Sequence, residues 1–257
     1  MSKIILEEGA RLGNQCFINL AASLFCEKHN LFITYNDLEN QLKLGLNLFV
    51  GEKYFEKSVL VNDKNYIELY EKDSIDFNVI FKDYFQSKKI TSMTHNYLYS
   101  KMKIITSTNK FKYLYNNNNN CFIHVRLGDV QSFNPGFKYY NFILSKINVD
   151  KIYLSTDDEK HEIVKKLINS YPKIEIIHYS LIDTILFAST SKYLILSHGT
   201  FSGIISYMSF YSKVYFIKEN ENTSWDYFNG NEKYDIFKDK YTTIENFNEI
   251  DTENISE

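Results

Sequence analysis

Residues 152–200 read IYLSTDDEKHEIVKKLINSYPKIEIIHYSLIDTILFASTSKYLILSHGT. Three short apolar runs, "IYLST", "IEIIHY" and "KYLILS", alternate with two segments of helical period, "DDEKHEIVKKLINSY" and "LIDTILFASTS". Strands this apolar, separated by helices, predict a parallel sheet covered on both faces. Acidic residues open the first helix, where the dipole favours them. The alternation extends outward. "CFIHV" (121–125) and the helix "FKYYNFILSKI" precede it; the helix "SGIISYMSF" and the strand "KVYFI" follow. The second half is therefore Rossmann-like, and its ligands belong beyond the carboxyl ends of the strands.

The amino-terminal half opens with the strand "KIILEE", a turn at Gly9 and "GNQCFINLAASLFCEKHN", with Phe17, Leu20, Ala21, Leu24 and Phe25 at helical spacing. The strand "LFITYN" completes a second strand–loop–helix–strand unit, so the fold class is α/β. Asp37 to about Thr108 mixes short helices and strands without a repeat. The polar run Asn116–Asn120 reads as a loop close to a lobe boundary. The expected organisation is a first lobe over 1–115, a second over 121–240, and a tail over 241–257 whose packing on the first lobe stays open.

With 44% hydrophobic and 24% charged residues, the 257-residue chain can build a real core. A net charge of −3 provides no field for nucleic acid, so an anionic ligand must be held by local groups. Cys16, Cys26 and Cys121 have no metal-type spacing and read as buried free thiols of a reducing compartment. The most apolar region, Tyr193–Ile217, is interrupted by polar residues and is not a membrane span. No signal peptide is expected ahead of the first strand, and a cytoplasmic location is expected accordingly.

Of 29 lysines and arginines, only Arg11 and Arg126 are arginine. A guanidinium presents a planar fork of donors that fits a phosphate bidentately, where lysine offers a point charge. Arg126-Leu127-Gly128-Asp129, Thr156-Asp157-Asp158 and Ser197-His198-Gly199-Thr200 each follow a strand and would line one rim. Gly128 would let the backbone approach a ligand, and Asp129 would hold Arg126 or cap a helix. His124 faces the same way as Arg126 along the strand. "SHGTFSG" (197–203) enters a helix through glycine and hydroxyls, either a phosphate pocket or an ordinary N-cap. Asp183, in an apolar helix, needs a partner if buried; a base or ribose edge would serve. Arg11, Gly13 and Asn14 are expected in a strand-to-helix loop. Asp157 and Asp158 are expected at a helix start, a poor place for a dication, so no metal is expected. No GxGxxG, HExxH or Ser–His–Asp pattern occurs.

Together these segments resemble the α-1,2-fucosyltransferases (glycosyltransferase family 11) and their α-1,6- and protein O-fucosyltransferase relatives. "ARLGNQCF" resembles G-G-L-G-N-Q-M-F, "DYFQSKK" (83–89) resembles G-Y-F-Q-S, and "IHVRLGDV" resembles the H-x-R-R-G-D signature. "IYLSTDDE" is similar to F-S-D-D, and "SKYLILSHGTFSGIISYMS" to a segment like I-A-N-S-T-F-S-W-W-A-A. These stand in the family's order. The resemblance implies a GT-B fold of two facing Rossmann-like lobes, and metal-independent, inverting transfer of L-fucose from GDP-fucose to a glycan hydroxyl, without a cofactor. It implies that Arg126 and Asn14 act at the reacting diphosphate. Arg11, Gly13, His124, Asp157, Asp183, Thr200, Phe201 and Ser202 would bind the donor with them, Asp183 at the guanine. Acceptor-side candidates are Glu8, Asp83, Gln86 and His95. The chain departs from the pattern at Ala10, Asp83, Leu127 and Gly203-Ile204, where relatives often carry glycine, glycine, a second arginine and two tryptophans. Two alternatives remain: a GT-B enzyme for another nucleotide-linked deoxyhexose, and a non-catalytic sugar-nucleotide or glycan-binding module.

Overall fold

The segment "LGNQCFINLAASLFCEKH" forms one 18-residue helix, α1 (Leu12–His29), that is buried on almost every side. A helix apolar all round must be sandwiched, and α1 is: it contributes to a core inside the first lobe and to a second core shared between the lobes. It ends at Asn30 in the left-handed conformation (φ 54°), whose N–H reaches the Cys26 carbonyl. The structure, a computed structural model, describes residues 1–7, 9–129, 131–217 and 241–244.

Around α1 the first lobe places β1 (Ser2–Ile4), β2 (Ile33–Thr34), β3 (Ser58–Val61) and β4 (Asn78–Phe81) in one sheet of order β2-β1-β4-β3. The helices α2 (Leu38–Lys43), α3 (Tyr66–Glu71), α4 (Lys88–Ser100) and α5 (Met102–Thr108) complete it. Several of these elements span only two to seven residues, which explains the irregular sequence pattern between Asp37 and Thr108.

The second lobe holds β5 (Cys121–Val125), α6 (Gly136–Leu144), β6 (Ile152–Thr156), α7 (Glu162–Ser170), β7 (Ile174–Ile176), α8 (Leu181–Ala188), β8 (Tyr193–Leu196), α9 (Thr200–Met208), β9 (Lys213–Ile217) and β10 (Tyr241–Ile244). Its strand order, β10-β9-β8-β5-β6-β7, is the doubly wound 3-2-1-4-5-6 arrangement. Every pairing in both sheets is parallel. The chain is thus α/β, with two Rossmann-like lobes facing each other in the GT-B arrangement.

Two sequence expectations are revised here. Residues 241–244, placed in a tail, form the edge strand of the second sheet beside β9; 245–257 lie outside the described residues. Helix α7 begins at Glu162, capped by His161 Nδ1, so Asp157 and Asp158 sit in the preceding loop and not at its start. The asparagine run is, as expected, a loop at the entry to β5, and it is tied down. Asn118 donates to the Leu114 and Thr190 carbonyls, Asn119 to the Asn148 carbonyl, and Tyr193 N–H to the Asn120 carbonyl. These short amide side chains satisfy backbone groups that the junction would otherwise leave open.

The lobes meet through α1, α4 and α9. Phe17 packs edge-on against Tyr207 at 5.2 Å, and Tyr207 donates to the Thr91 carbonyl. Gly13 makes the closest approach: a methyl there would stand 2.7 Å from the Thr200 carbonyl carbon and 2.8 Å from Phe201 N. All three cysteines are buried free thiols. Among the described residues, no helix is long and apolar enough to cross a membrane.

Candidate functional site

A cleft of about 900 Å³ opens between the lobes. On the second lobe it lies where the strand order reverses, between β5 and β8, the position at which doubly wound sheets bind ligands. Arg126 and Asp129 follow β5, Thr156 ends β6 with Asp157 just after it, and His198, Gly199, Thr200 and Phe201 follow β8; all line the cleft. From the first lobe come Arg11, Gly13 and Asn14 at the start of α1, and Tyr84 and Gln86 after β4.

The loop after β5 is anchored atom by atom. Arg126 N–H donates to Ser197 Oγ (3.1 Å), Leu127 N–H to Asp157 Oδ1 (2.8 Å) and Gly128 N–H to Asp157 Oδ2 (3.0 Å). Asn134 Nδ2 closes the loop on the Arg126 carbonyl at 2.9 Å. A Cβ at Gly128 would meet Asp157 Oδ2 at 2.7 Å, so this glycine makes room for a carboxylate of the protein itself, not for a ligand. Leu127 is buried in the second-lobe core, replacing a possible cleft arginine with packing.

Arg126 Nη1 pairs with Asp157 Oδ2 at 2.6 Å, and its Nη2 pairs with Asp129 Oδ1. The other oxygen of Asp129 accepts Arg11 Nη2 at 2.9 Å. The chain's two arginines, one from each lobe, therefore share a single carboxylate. The hydrogen bond from Arg126, then its charge and Arg11, hold the Asp129 carboxyl below the usual range. Counted at neutral pH, the two guanidiniums and two carboxylates balance.

His124, on β5, is 6% exposed and borders the cleft. Its Nδ1 lies 2.7 Å from Ser202 Oγ, and its ring packs against Phe201 at 5.2 Å. Burial, reinforced by the Arg126 charge and only partly offset by Asp157, pushes its pKa down to about 4. It is a neutral imidazole at physiological pH. Gly199, at φ 106°, is the N-cap of α9 and brings no capping side chain, so this nine-residue helix starts at the rim of the cleft without a side-chain cap. Asn14 Oδ1 accepts Gln86 Nε2 at 3.0 Å, joining the two first-lobe segments.

The structure thus gathers Arg11, Gly13, Asn14, Gln86, His124, Arg126, Asp157, Thr200 and Phe201 on one opening. Other expectations are placed differently. Gly13 and Asn14 lie in the first turn of α1, not in a loop. Ser202 is fully buried beneath His124. Asp183 takes its partner from the protein, Lys110 Nζ at 2.7 Å, and is not among the residues lining the cleft. Asp83 accepts the Asp63 and Tyr84 N–H groups, stapling loops behind the wall. His95 stacks on Tyr207 at 4.3 Å in the contact between lobes. Glu8 lies outside the described residues.

One wall escaped the sequence reading. His178, Tyr179, Leu181 and Thr184, from the loop after β7 and the start of α8, also line the cleft. Tyr179 and Leu181 are 45% and 60% exposed, apolar surface held open beside the charged groups. Their signal was available, since "HYSL" follows a strand as the other three motifs do, but it carries neither arginine nor glycine.

No protein-family model matches the chain, and no curated protein matches it. Among solved structures, heptosyltransferase WaaC of E. coli with ADP superposes at a TM-score of 0.48 and 8% identity, covering 95% of this chain and 93% of that one. The same enzyme with ADP-2-deoxy-2-fluoro heptose gives 0.45 and 9%, over 95% and 93%. POFUT1 in complex with GDP gives 0.43 and 10%, over 82% of this chain and 96% of that one. At this degree of superposition the likeness fixes neither donor nor acceptor.

Proposed function

We propose that the protein is a glycosyltransferase that takes a nucleoside-diphosphate sugar in the cleft, and that it transfers L-fucose from GDP-fucose to a glycan hydroxyl with inversion, α-1,2 in linkage. The observation that carries the reading is the convergence of Arg126, Arg11 and the uncapped start of α9 on one opening at the strand-order reversal. A departing diphosphate needs oriented positive groups, and donors of this kind each contribute about 3–4 kcal/mol when already in place. The ordered motifs of the sequence supply the fucose, the guanosine and the linkage.

In this reading the second lobe holds the donor. Arg126, positioned by Asp157, and the α9 N–H groups beside Thr200 and Phe201 meet the diphosphate. His124, neutral and seated on Ser202, borders the same groups. Tyr179 and Leu181 form the apolar face for the base. Asn14, linked to Gln86, approaches the sugar from the first lobe, and the acceptor hydroxyl enters beside Tyr84. No metal enters this reading, and the oxygens of Asp157 serve two backbone N–H groups and a guanidinium.

One observation favours a second donor. Asp183 does not line the cleft and is ion-paired with Lys110, so nothing in place there awaits a guanine edge. A GT-B transferase for another nucleotide-linked deoxyhexose is the alternative.

A thermal-shift panel of GDP, ADP, UDP and dTDP tests the donor. A nucleotide at a hundredfold excess over its Kd stabilises by about 2.7 kcal/mol. Stabilisation by GDP alone is expected; stabilisation by UDP or dTDP but not GDP rejects the fucose reading, and silence from all four rejects the class. GDP release from GDP-fucose with a glycan acceptor, unchanged by EDTA, completes the assignment. Loss in EDTA with recovery in manganese would overturn the metal-independent route.

A further inference from the structure

The two acidic residues around Arg126 are not equivalent. Asp157 spends its oxygens on Leu127 N–H and Gly128 N–H as well as on the guanidinium, and its side chain is 27% exposed. Asp129 is 49% exposed, and its oxygens meet Arg126 and Arg11, one each. A carboxylate spanning two guanidiniums on facing lobes puts anionic oxygens where those guanidiniums would grip an anionic ligand. Removing Asp157 unfastens the loop; moving Asp129 breaks exposed ion pairs, which individually contribute little.

We propose that Asp129 is an internal stand-in for the ligand's diphosphate, a latch between the lobes that an incoming anion displaces while Asp157 keeps Arg126 in place. The proposal rests on the reading of the cleft as a nucleoside-diphosphate site and adds how its two arginines are charge-balanced before an anion arrives. Displacement exchanges one anionic bridge for another, so the guanidiniums are never left facing each other bare. It also makes Asp129 a determinant of selectivity: a monoanion recovers less than the latch supplied, whereas a diphosphate recovers more.

The test compares Asp129→Asn and Asp157→Asn in the full chain, with calorimetric titration of GDP and, separately, inorganic pyrophosphate. Asp129→Asn is expected to bind both about tenfold more tightly than the parent, since the competitor keeps its shape but loses its charge. Asp157→Asn is expected to bind both more weakly. Weaker binding by Asp129→Asn would overturn the latch and make Asp129 a positioning residue for Arg126. The pyrophosphate arm separates the two claims. Tighter pyrophosphate without any nucleotide binding would leave the latch standing and sink the nucleotide reading. No pyrophosphate binding in parent or variant would sink the latch even if GDP binds elsewhere in the cleft. Thermal unfolding of both variants shows whether the fold is intact, and Asp129→Ala provides a second variant if the asparagine re-forms the bridge.

Discussion

The two walls of the cleft are built by different means. On the second lobe, chemistry-bearing side chains are fixed by backbone: the Arg126–Gly128 N–H groups are all accepted by Ser197 or Asp157, and His124 is wedged between Ser202 and Phe201. On the first lobe, side chains hold side chains. Asn14 leans on Gln86, Arg11 is 69% exposed, and Gln86 follows Phe85, which sits at φ 54° in a region that disfavours bulky residues. A wall fixed by backbone suits the invariant part of a donor, and one fixed by side chains can adjust to an acceptor. The difference also separates what should fail on mutation: geometry on one side, tuning on the other.

Arg126→Lys should do the most damage. The ammonium keeps the charge but cannot answer Asp157 and a phosphate in one plane. Turnover should fall about hundredfold, the scale seen when one preorganised donor is lost, with the thermal midpoint nearly unchanged. A variant as active as the parent would show that the backbone-fixed wall merely closes the lobe. Gly13→Ala probes the point where the walls touch. Its methyl would press on the backbone at Thr200 and Phe201, neither of which is a flexible tip that can swing aside. Overpacking of this kind costs about 1–3 kcal/mol in urea unfolding, and the start of α9 should be displaced enough to weaken nucleotide binding as well. Full stability would mean that the lobes slide freely at this contact. That outcome would dissolve the distinction between the walls.

How much of this was legible in the sequence follows the same division. The second lobe's strands and helices were readable because apolar runs of four or five residues carry their own signal, and the rule about strand ends then put Arg126, Asp157 and Thr200 on one rim. What could not be read was where each side chain finds its partner. Gly128 looked like a place for a ligand and is a place for Asp157; Asp183 looked in need of a base and has Lys110. Both are long-range pairings across 29 and 73 residues of chain, and no local pattern records them. In the first lobe, elements of two to six residues leave too short a period to read, so Asp83 and His95 were assigned to the opening by motif and neighbourhood alone. The shared carboxylate of Arg11 and Arg126 was visible only as an oddity, two arginines in a chain of lysines.

The smallest effect should come from behind the adjustable wall, and it is a matter of pH. Asp83 accepts the Asp63 N–H at 3.1 Å and the Tyr84 N–H at 2.8 Å, while the half-buried Asp63 carboxyl takes N–H groups from Ser87 and Gln86. Burial, with the neighbouring Asp83 charge added, raises the Asp63 pKa to about 6. Because the folded value is raised, the folded chain binds this proton more tightly than the unfolded chain does. The stability it contributes is complete below the ordinary value near 3.8 and is lost as pH rises through about 6. Discounted for solvent access, the loss across that window should be about 1 kcal/mol, and Asp63→Asn should flatten it. Urea unfolding of parent and variant at matched pH values reads the slope directly. If the parent shows no decline between pH 4 and 6 beyond that of the variant, the carboxylate pair is not a strained support, and the loop carrying Tyr84 and Gln86 is held as firmly as the wall it faces.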